Sequence, residues 1–242
     1  MIMLCRSEEK ANTAIKWITD NAVGDSNGTL IFEQCDISSM LSVRKCAERL
    51  LVSLDKIDIL VNNAGIVWDH GRKVTEDGFE LTFATNHLGH FLLTDLLIPL
   101  LKKSAESGFT PRCITFDSLE IYHGHMVIGV VISRIVNVSS EAYQFVNGIM
   151  WDDMNMENMS YGSQKAYGHS KLANLLHAKG LARRLKDSGI LAFSLHPGLS
   201  LNISRNISVK YFAPHSLILQ ALSRLRSFRS LGLVCLMDAV EE

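Results

Sequence analysis

Several things are scarce in this sequence, and each scarcity removes a class. Its five cysteines, Cys5, Cys35, Cys46, Cys113 and Cys235, are scattered and form no C-x-x-C pair. No histidine-rich cluster accompanies them, so neither a disulfide framework nor a zinc or other metal site is expected, and a reducing compartment suits the thiols. There is no excess of positive charge. The formal net charge is -1, which leaves no electrostatic footprint for nucleic acid. Long apolar runs are missing too. None is longer than Met126 to Ile132, far short of the ~18 residues of a membrane-spanning helix. Nothing at the amino end reads as a signal peptide. The N-x-S/T triplets, such as those at Asn137 and Asn202, read as chance matches; Asn137 sits inside an apolar strand pattern.

What is present is the balance of a globular chain: 242 residues, 47% hydrophobic and 20% charged. That length suits one α/β domain spanning residues 1–242 and able to bury its own core. Strand and helix patterns alternate along it. Met1 to Leu4 ends a strand, and Ser7 caps a helix with Glu8 and Glu9 in its first turn, where negative charge suits the helix dipole. Thr29 to Phe32 is the next strand, ending near Asp36. Ser38 or Ser39 then caps a helix whose buried stripe is Val43, Cys46, Ala47, Leu50 and Leu51. Ile57 to Val61, apolar except at Asp58, reads as a parallel strand covered on both faces. A long helix follows over about Glu76 to Lys103. Arg134 to Val138 is another buried strand, Tyr161 or Ser163 to Lys186 another helix, and Ile190 to Leu195 another strand. This order predicts a Rossmann-type doubly wound parallel sheet with right-handed crossovers. Ligands then bind beyond the carboxyl ends of the strands.

The chemistry-bearing residues fall at those ends. Asn62-Asn63-Ala64-Gly65 follows one strand, with small residues that let backbone approach a flat ligand. Ser139 and Ser140 end another strand, where a hydroxyl can meet a substrate oxygen or simply terminate the strand. Tyr167 and Lys171 stand at i and i+4 and share a helix face. A nearby ammonium favours the phenolate and brings a phenol of pKa ~10 closer to useful proton exchange. Tyr161 and Lys165 repeat the Tyr-x-x-x-Lys spacing. Six residues at about 100° each separate the two tyrosines by roughly 240°, so only one can face a given ligand. Tyr167, inside sustained helix, is the better placed. Asn86 lies mid-helix, where asparagine is mildly unfavourable and invites a reason. His87 and His90 lack a third ligand.

Taken together and in order, Asp36, Asn62 to Gly65, Asn86, Ser139-Ser140, Tyr167-x-x-x-Lys171 and His196-Pro197-Gly198 resemble the short-chain dehydrogenase/reductase family. The stretches Thr85 to Phe91 and His169 to Asn174 are similar to its retinol dehydrogenase-like branch. The resemblance covers about residues 1–103 and 134–200. It implies that Tyr167 is the general acid/base and that Lys171 lowers its pKa and holds the nicotinamide ribose. Ser140 would orient the substrate oxygen, and Asn86 would anchor a proton-relay water. On the cofactor side, Arg6 would meet the 2'-phosphate of NADP, where an acidic residue would suit NAD instead. Asp36 would approach the adenine, Asn63, Ala64 and Gly65 would line the adenosine ribose, and Pro197 and Gly198 would sit near the nicotinamide. The implied reaction is NADP-dependent hydride transfer with a small lipophilic alcohol or carbonyl. The implied assembly is a homodimer packed through the two long helices.

Three departures from the family stand out. The family opens with a strand and a T-G-x-x-x-G-x-G turn whose following helix N-terminus holds the pyrophosphate. No such turn occurs here, and the loss of that central strand is expected to expose two strand edges. Residues 112–133 read as an insertion, either functional or retained non-coding sequence. Residues 201–242 diverge, with Ile207 to Leu236 readable as an amphipathic helix. The alternative to an active enzyme is therefore an inactive fragment or pseudoenzyme, at most an interaction module. Localisation stays open between the cytoplasm and the endoplasmic-reticulum membrane.

Overall fold

The structure, a computed structural model, describes residues 1–21, 28–107, 133–195 and 233–236. The strands are β1 (Ile2–Cys5), β2 (Ile31–Gln34), β3 (Ile59–Asn62), β4 (Ser133–Val138), β5 (Ile190–Leu195) and β6 (Leu233–Leu236). The helices are α1 (Glu8–Asp20), α2 (Met40–Ser53), the short α3 (Leu81–Phe83), a π-helical segment (Ala84–Leu88), α4 (Gly89–Glu106) and α5 (Ser163–Arg184). All six strands form one parallel sheet in the order β2-β1-β6-β3-β4-β5.

Alternation along the strands divides the core between the two faces of the sheet. Leu4, Leu60 and Ile135 point one way and pack with Val43, Cys46 and Leu50 of α2, Leu93, Leu97 and Leu101 of α4, and Leu181 and Leu185 at the end of α5. Met3, Cys5, Ile59 and Val61 point the other way, onto Ala11 of α1 and partly buried Ala14, Ile15 and Ile18. Helix starts follow local chemistry. Ser7 accepts from the Lys10 amide at 3.3 Å, and Ser39, not Ser38, caps α2 by accepting from Ser42.

Four expectations change. Leu51 is 37% exposed, because it lies ~100° around α2 from buried Leu50. The long helix begins at Leu81 rather than near Glu76. Residues before it close a turn, with the Gly78 amide donating to Thr75 O and Val74 bridged to Glu80. Of the two starts offered for the next long helix, the structure takes Ser163, leaving Tyr161 outside it. Finally, the two expected bare edges are absent. β6 runs parallel between β1 and β3 and pairs with both, Val234 standing opposite Ile2 on one side and Leu60 on the other. Residues 233–236 thus form strand rather than helix. The rest of 207–236 and residues 112–132 lie outside the described residues.

Because β6 is a central strand, a proline within it is incompatible with the ladder. We expect Val234→Pro to cost on the order of 3 kcal/mol or more, a fall in melting temperature of roughly 6–12 °C for a chain of this size. Circular-dichroism melts check this, and an unchanged transition would show that the sheet does not need the strand.

Candidate active site

The parallel order brings the ends of β1, β2, β3 and β4 to one edge of the sheet. Arg6 follows β1 and is half-buried. Asp36 follows β2. Its Oδ1 accepts from the Ser38 amide at 2.9 Å and the Ser38 hydroxyl at 2.7 Å, while its own amide donates to Ser42 Oγ at 2.9 Å. Its carboxylate is therefore fixed at the end of β2. Asn63, Ala64 and Gly65 follow β3. A Cβ on Gly65 would stand 3.2 Å from Asn86 Oδ1 and 3.4 Å from Lys171 Nζ, so the glycine lets this loop lie against both groups. Pro197 and Gly198 lie outside the described residues.

Asn86 sits in the π-helical segment and is fully buried. Single π turns concentrate at functional sites, and this one turns Asn86 onto three partners. Its Oδ1 accepts from the Ile66 amide at 2.7 Å, and its Nδ2 donates to Ile66 O at 2.9 Å and to Ser170 Oγ at 3.0 Å. Its backbone oxygen accepts from Asn174 Nδ2 at 2.9 Å and meets His90 Nδ1 at 2.9 Å. A carbonyl only accepts, so His90 carries its proton on Nδ1.

Tyr167 and Lys171 lie together on α5, with Lys171 Nζ 5.4 Å from the Tyr167 ring centroid. Gly168 lets α5 reach the short helix Glu141–Phe145; a Cβ there would be 2.5 Å from Ala142 O. That helix is capped by Ser140, whose Oγ accepts from the Ala142 amide at 3.2 Å. The same hydroxyl lies near enough to the Tyr167 phenol to favour its phenolate. Ser139 faces the other way and donates to Lys171 O at 2.7 Å. Burial pushes the Tyr167 phenol up from its ordinary value, and the Ser140 hydroxyl partly offsets this. The expectation that the ammonium would pull the phenol down is thus not met: desolvation dominates. Lys171 is itself buried, and desolvation lowers its pKa to about 8. Among the described residues its ammonium has one acceptor, Val138 O at 3.0 Å. Three donors with one acceptor suit ribose hydroxyls or water at the remaining positions. The pyrophosphate has no comparable cradle among the described residues.

Tyr161, the other tyrosine of that spacing, points elsewhere and donates to Glu80 Oε1 at 3.0 Å. Sequence reasoning missed Asn174, whose amide binds Asn86 O and, at 3.4 Å, Val138 O. The signal was available, since a mid-helix asparagine three residues past Lys171 meets the criterion that singled out Asn86. It also gave no role to Asn137, whose Oδ1 accepts from Asn62 Nδ2 at 2.9 Å beneath the site.

The family model for short chain dehydrogenases matches residues 1–109. Human retinol dehydrogenase 13 is 36% identical over 204 residues, which are 83% of this chain and 51% of that protein. The chain belongs to the short-chain dehydrogenase/reductase family, in its retinol dehydrogenase-like branch. It spans about half the length of the curated relatives it matches. Among solved structures, an uncharacterised protein of Mycobacterium paratuberculosis is 32% identical with a TM-score of 0.59, covering 82% of this chain and 59% of its own. The carbonyl reductase of chicken fatty liver, solved with NADPH bound, shares the fold at 24% identity and a TM-score of 0.50, over 81% of this chain and 67% of its own.

Four histidines around this site are held neutral. Burial lowers His87, takes His90 and His177 to about 3, and takes His169 to about 4. An unfolded histidine titrates near 6.5. Below that value the unfolded chain therefore binds more protons than the folded one, and stability falls as pH falls. Above it the contribution is fully present. Between pH 6.5 and 5 we expect losses on the order of 1–2 kcal/mol for each of fully buried His90 and His169. Thermal melts across that range should show the loss, with a slope about one proton shallower in His90→Gln; equal stability at both ends would refute it.

Proposed function

We propose that this site performs NADP-linked hydride transfer between a nicotinamide and a lipophilic alcohol or carbonyl. The observation that carries the reading is the meeting of the Tyr167 phenol, the Ser140 hydroxyl, the Lys171 ammonium and Asn86 at the carboxyl ends of β3 and β4. A hydride joining or leaving a carbon requires a proton to reach or leave the oxygen on that carbon. Tyr167 is the group to give or take it at its phenolic oxygen. Burial keeps that phenol protonated and ready to donate in the reductive direction. Ser140 orients the substrate oxygen beside it. Lys171 supplies positive charge next to the phenol as it gives up its proton, and its remaining donors hold the nicotinamide ribose. Asn86 anchors the proton-relay water through its helix.

The bound cofactor supplies the hydride. Arg6 at the end of β1 suits a 2'-phosphate by charge-assisted bonding, which favours NADP over NAD. The family resemblance assigns Asp36, Asn63, Ala64 and Gly65 to the adenosine side, and Pro197 and Gly198, outside the described residues, to the nicotinamide. A lipophilic substrate is supported by Phe145 and Trp151, 66% and 74% exposed on the short helices Glu141–Phe145 and Trp151–Asp153 that follow Ser140 in the chain. A homodimer through α4 and α5 is supported by exposed Phe91 and Leu176 on those helices. Among the described residues no helix is long and apolar enough to cross a membrane.

NADPH binding, followed by calorimetry, tests the reading. Saturable binding is expected, with Arg6→Asp weakening NADPH far more than NADH. Tyr167→Phe should abolish turnover and leave NADPH affinity nearly unchanged. Absence of NADPH binding would favour the inactive-fragment alternative. Full turnover in Tyr167→Phe would remove the tyrosine from the chemistry.

A further inference from the structure

Tyr161 is unused by this chemistry, yet its surroundings are built with care. Glu80 is 1% exposed. Its Oε1 accepts from the Thr82 amide at 2.9 Å and its Oε2 from the Phe83 amide at 2.7 Å, so it caps the helical run that carries Asn86. Oε1 also accepts from the Tyr161 phenol at 3.0 Å. Tyr161 stands just ahead of α5, which carries Tyr167 and Lys171. Capping alone does not call for a buried carboxylate, because serine or threonine caps a helix without burying a charge. What the carboxylate adds is one anion that accepts three donors from the starts of two different helices.

The neighbouring loop is tied to the same point. Asn155 Oδ1 accepts from the Glu80 amide at 3.0 Å, and Asn155 Nδ2 donates to Gly78 O at 3.0 Å. Arg72 donates to Asn155 O at 2.7 Å and to Glu157 Oε1 at 2.9 Å. Between them, buried Met156 is held at a φ of 51°, a left-handed conformation that a long side chain keeps only where its surroundings impose it.

We propose that Glu80 and Tyr161 are positioning residues whose hydrogen bond sets the helical run bearing Asn86 in register with the helix bearing Tyr167 and Lys171. The proposal rests on the reading of Tyr167 and Lys171 as the reacting pair. The bonds from Asn86 to Ser170 and from Asn174 to Asn86 fix one point of contact between the two helical segments. The Phe83–His169 ring stack and the His87–Asn174 bond add contacts along the same seam, and the Glu80–Tyr161 bond ties the two helix starts. Burial, the first cause, takes the Tyr161 phenol to about 12, and the Glu80 carboxylate adds to it, so the phenol remains a donor throughout the working pH range.

The test compares the full chain with Tyr161→Phe, Glu80→Gln and the double variant, by amide hydrogen exchange and by steady-state kinetics with NADPH. The Ile66 amide reports register, because it donates to Asn86 Oδ1. The Cys35 amide, which donates to Cys5 O, reports general loosening. We expect exchange at Ile66 to quicken and kcat to fall, each by roughly 3- to 10-fold, with NADPH affinity and Cys35 exchange unchanged. The double variant should be no worse than Glu80→Gln. Unchanged exchange at Ile66, or equal acceleration at Cys35, would overturn the proposal, as would wild-type kcat in Tyr161→Phe when Tyr167→Phe is dead. A live Tyr167→Phe would instead sink the functional reading, and the exchange data would still decide whether the bond sets the register.

Discussion

The buried ammonium of Lys171 is the constraint to which the rest of the site answers. An ammonium taken out of water loses hydration that a single carbonyl cannot replace, and here desolvation lowers its pKa to about 8. It can stay only because the end of β4 turns Val138 O toward it. The surrounding elements must therefore hold β4 and α5 in one relation. Ser139 does so by donating to Lys171 O, and Asn174 by reaching both Asn86 O and Val138 O. Gly65 lets the β3 loop close over Lys171 without a side chain in the way.

Asparagine is the material of this frame because one amide both donates and accepts. Asn62 donates to Asn137 and to Thr94, Asn137 donates to Asn174 O, and Asn174 donates to Asn86 O. The chain of bonds runs from the sheet through α5 to the π turn without a charged link. A buried network of this kind is rigid when satisfied and costly when broken. The helix starts are held separately, by the Glu80 carboxylate. The Tyr167 phenol is thus presented by a scaffold whose parts are each fixed from more than one side.

Much of this was legible in the sequence, and the remainder has physical reasons. Ser7 with Glu8 and Glu9 marked the start of α1, and the apolar residues Ile59 to Val61 marked β3, because capping and burial act locally. The motif residues Asp36, Asn63 to Gly65, Asn86, Ser140, Tyr167 and Lys171 fall at the strand ends or on the helices where the alternating pattern put them. The place of β6 was not legible. Pairing of Val234 with Ile2 and Leu60 is long-range, and Leu-Val-Cys-Leu reads equally as strand or helix. Glu80 was invisible for a related reason: a carboxylate beside a turn reads as solvated until the fold buries it. The direction of the Tyr167 shift was misjudged because the spacing showed the ammonium but not the desolvation.

The most direct measurement of the central claim is an NMR titration of the Lys171 side chain, following its Cε and Nζ resonances in the folded chain. The account predicts a midpoint near 8, moving upward in Val138-end variants only if they admit water. A midpoint at the ordinary lysine value of ~10.4 would mean that the ammonium is solvated, and that the frame described around it does not hold it.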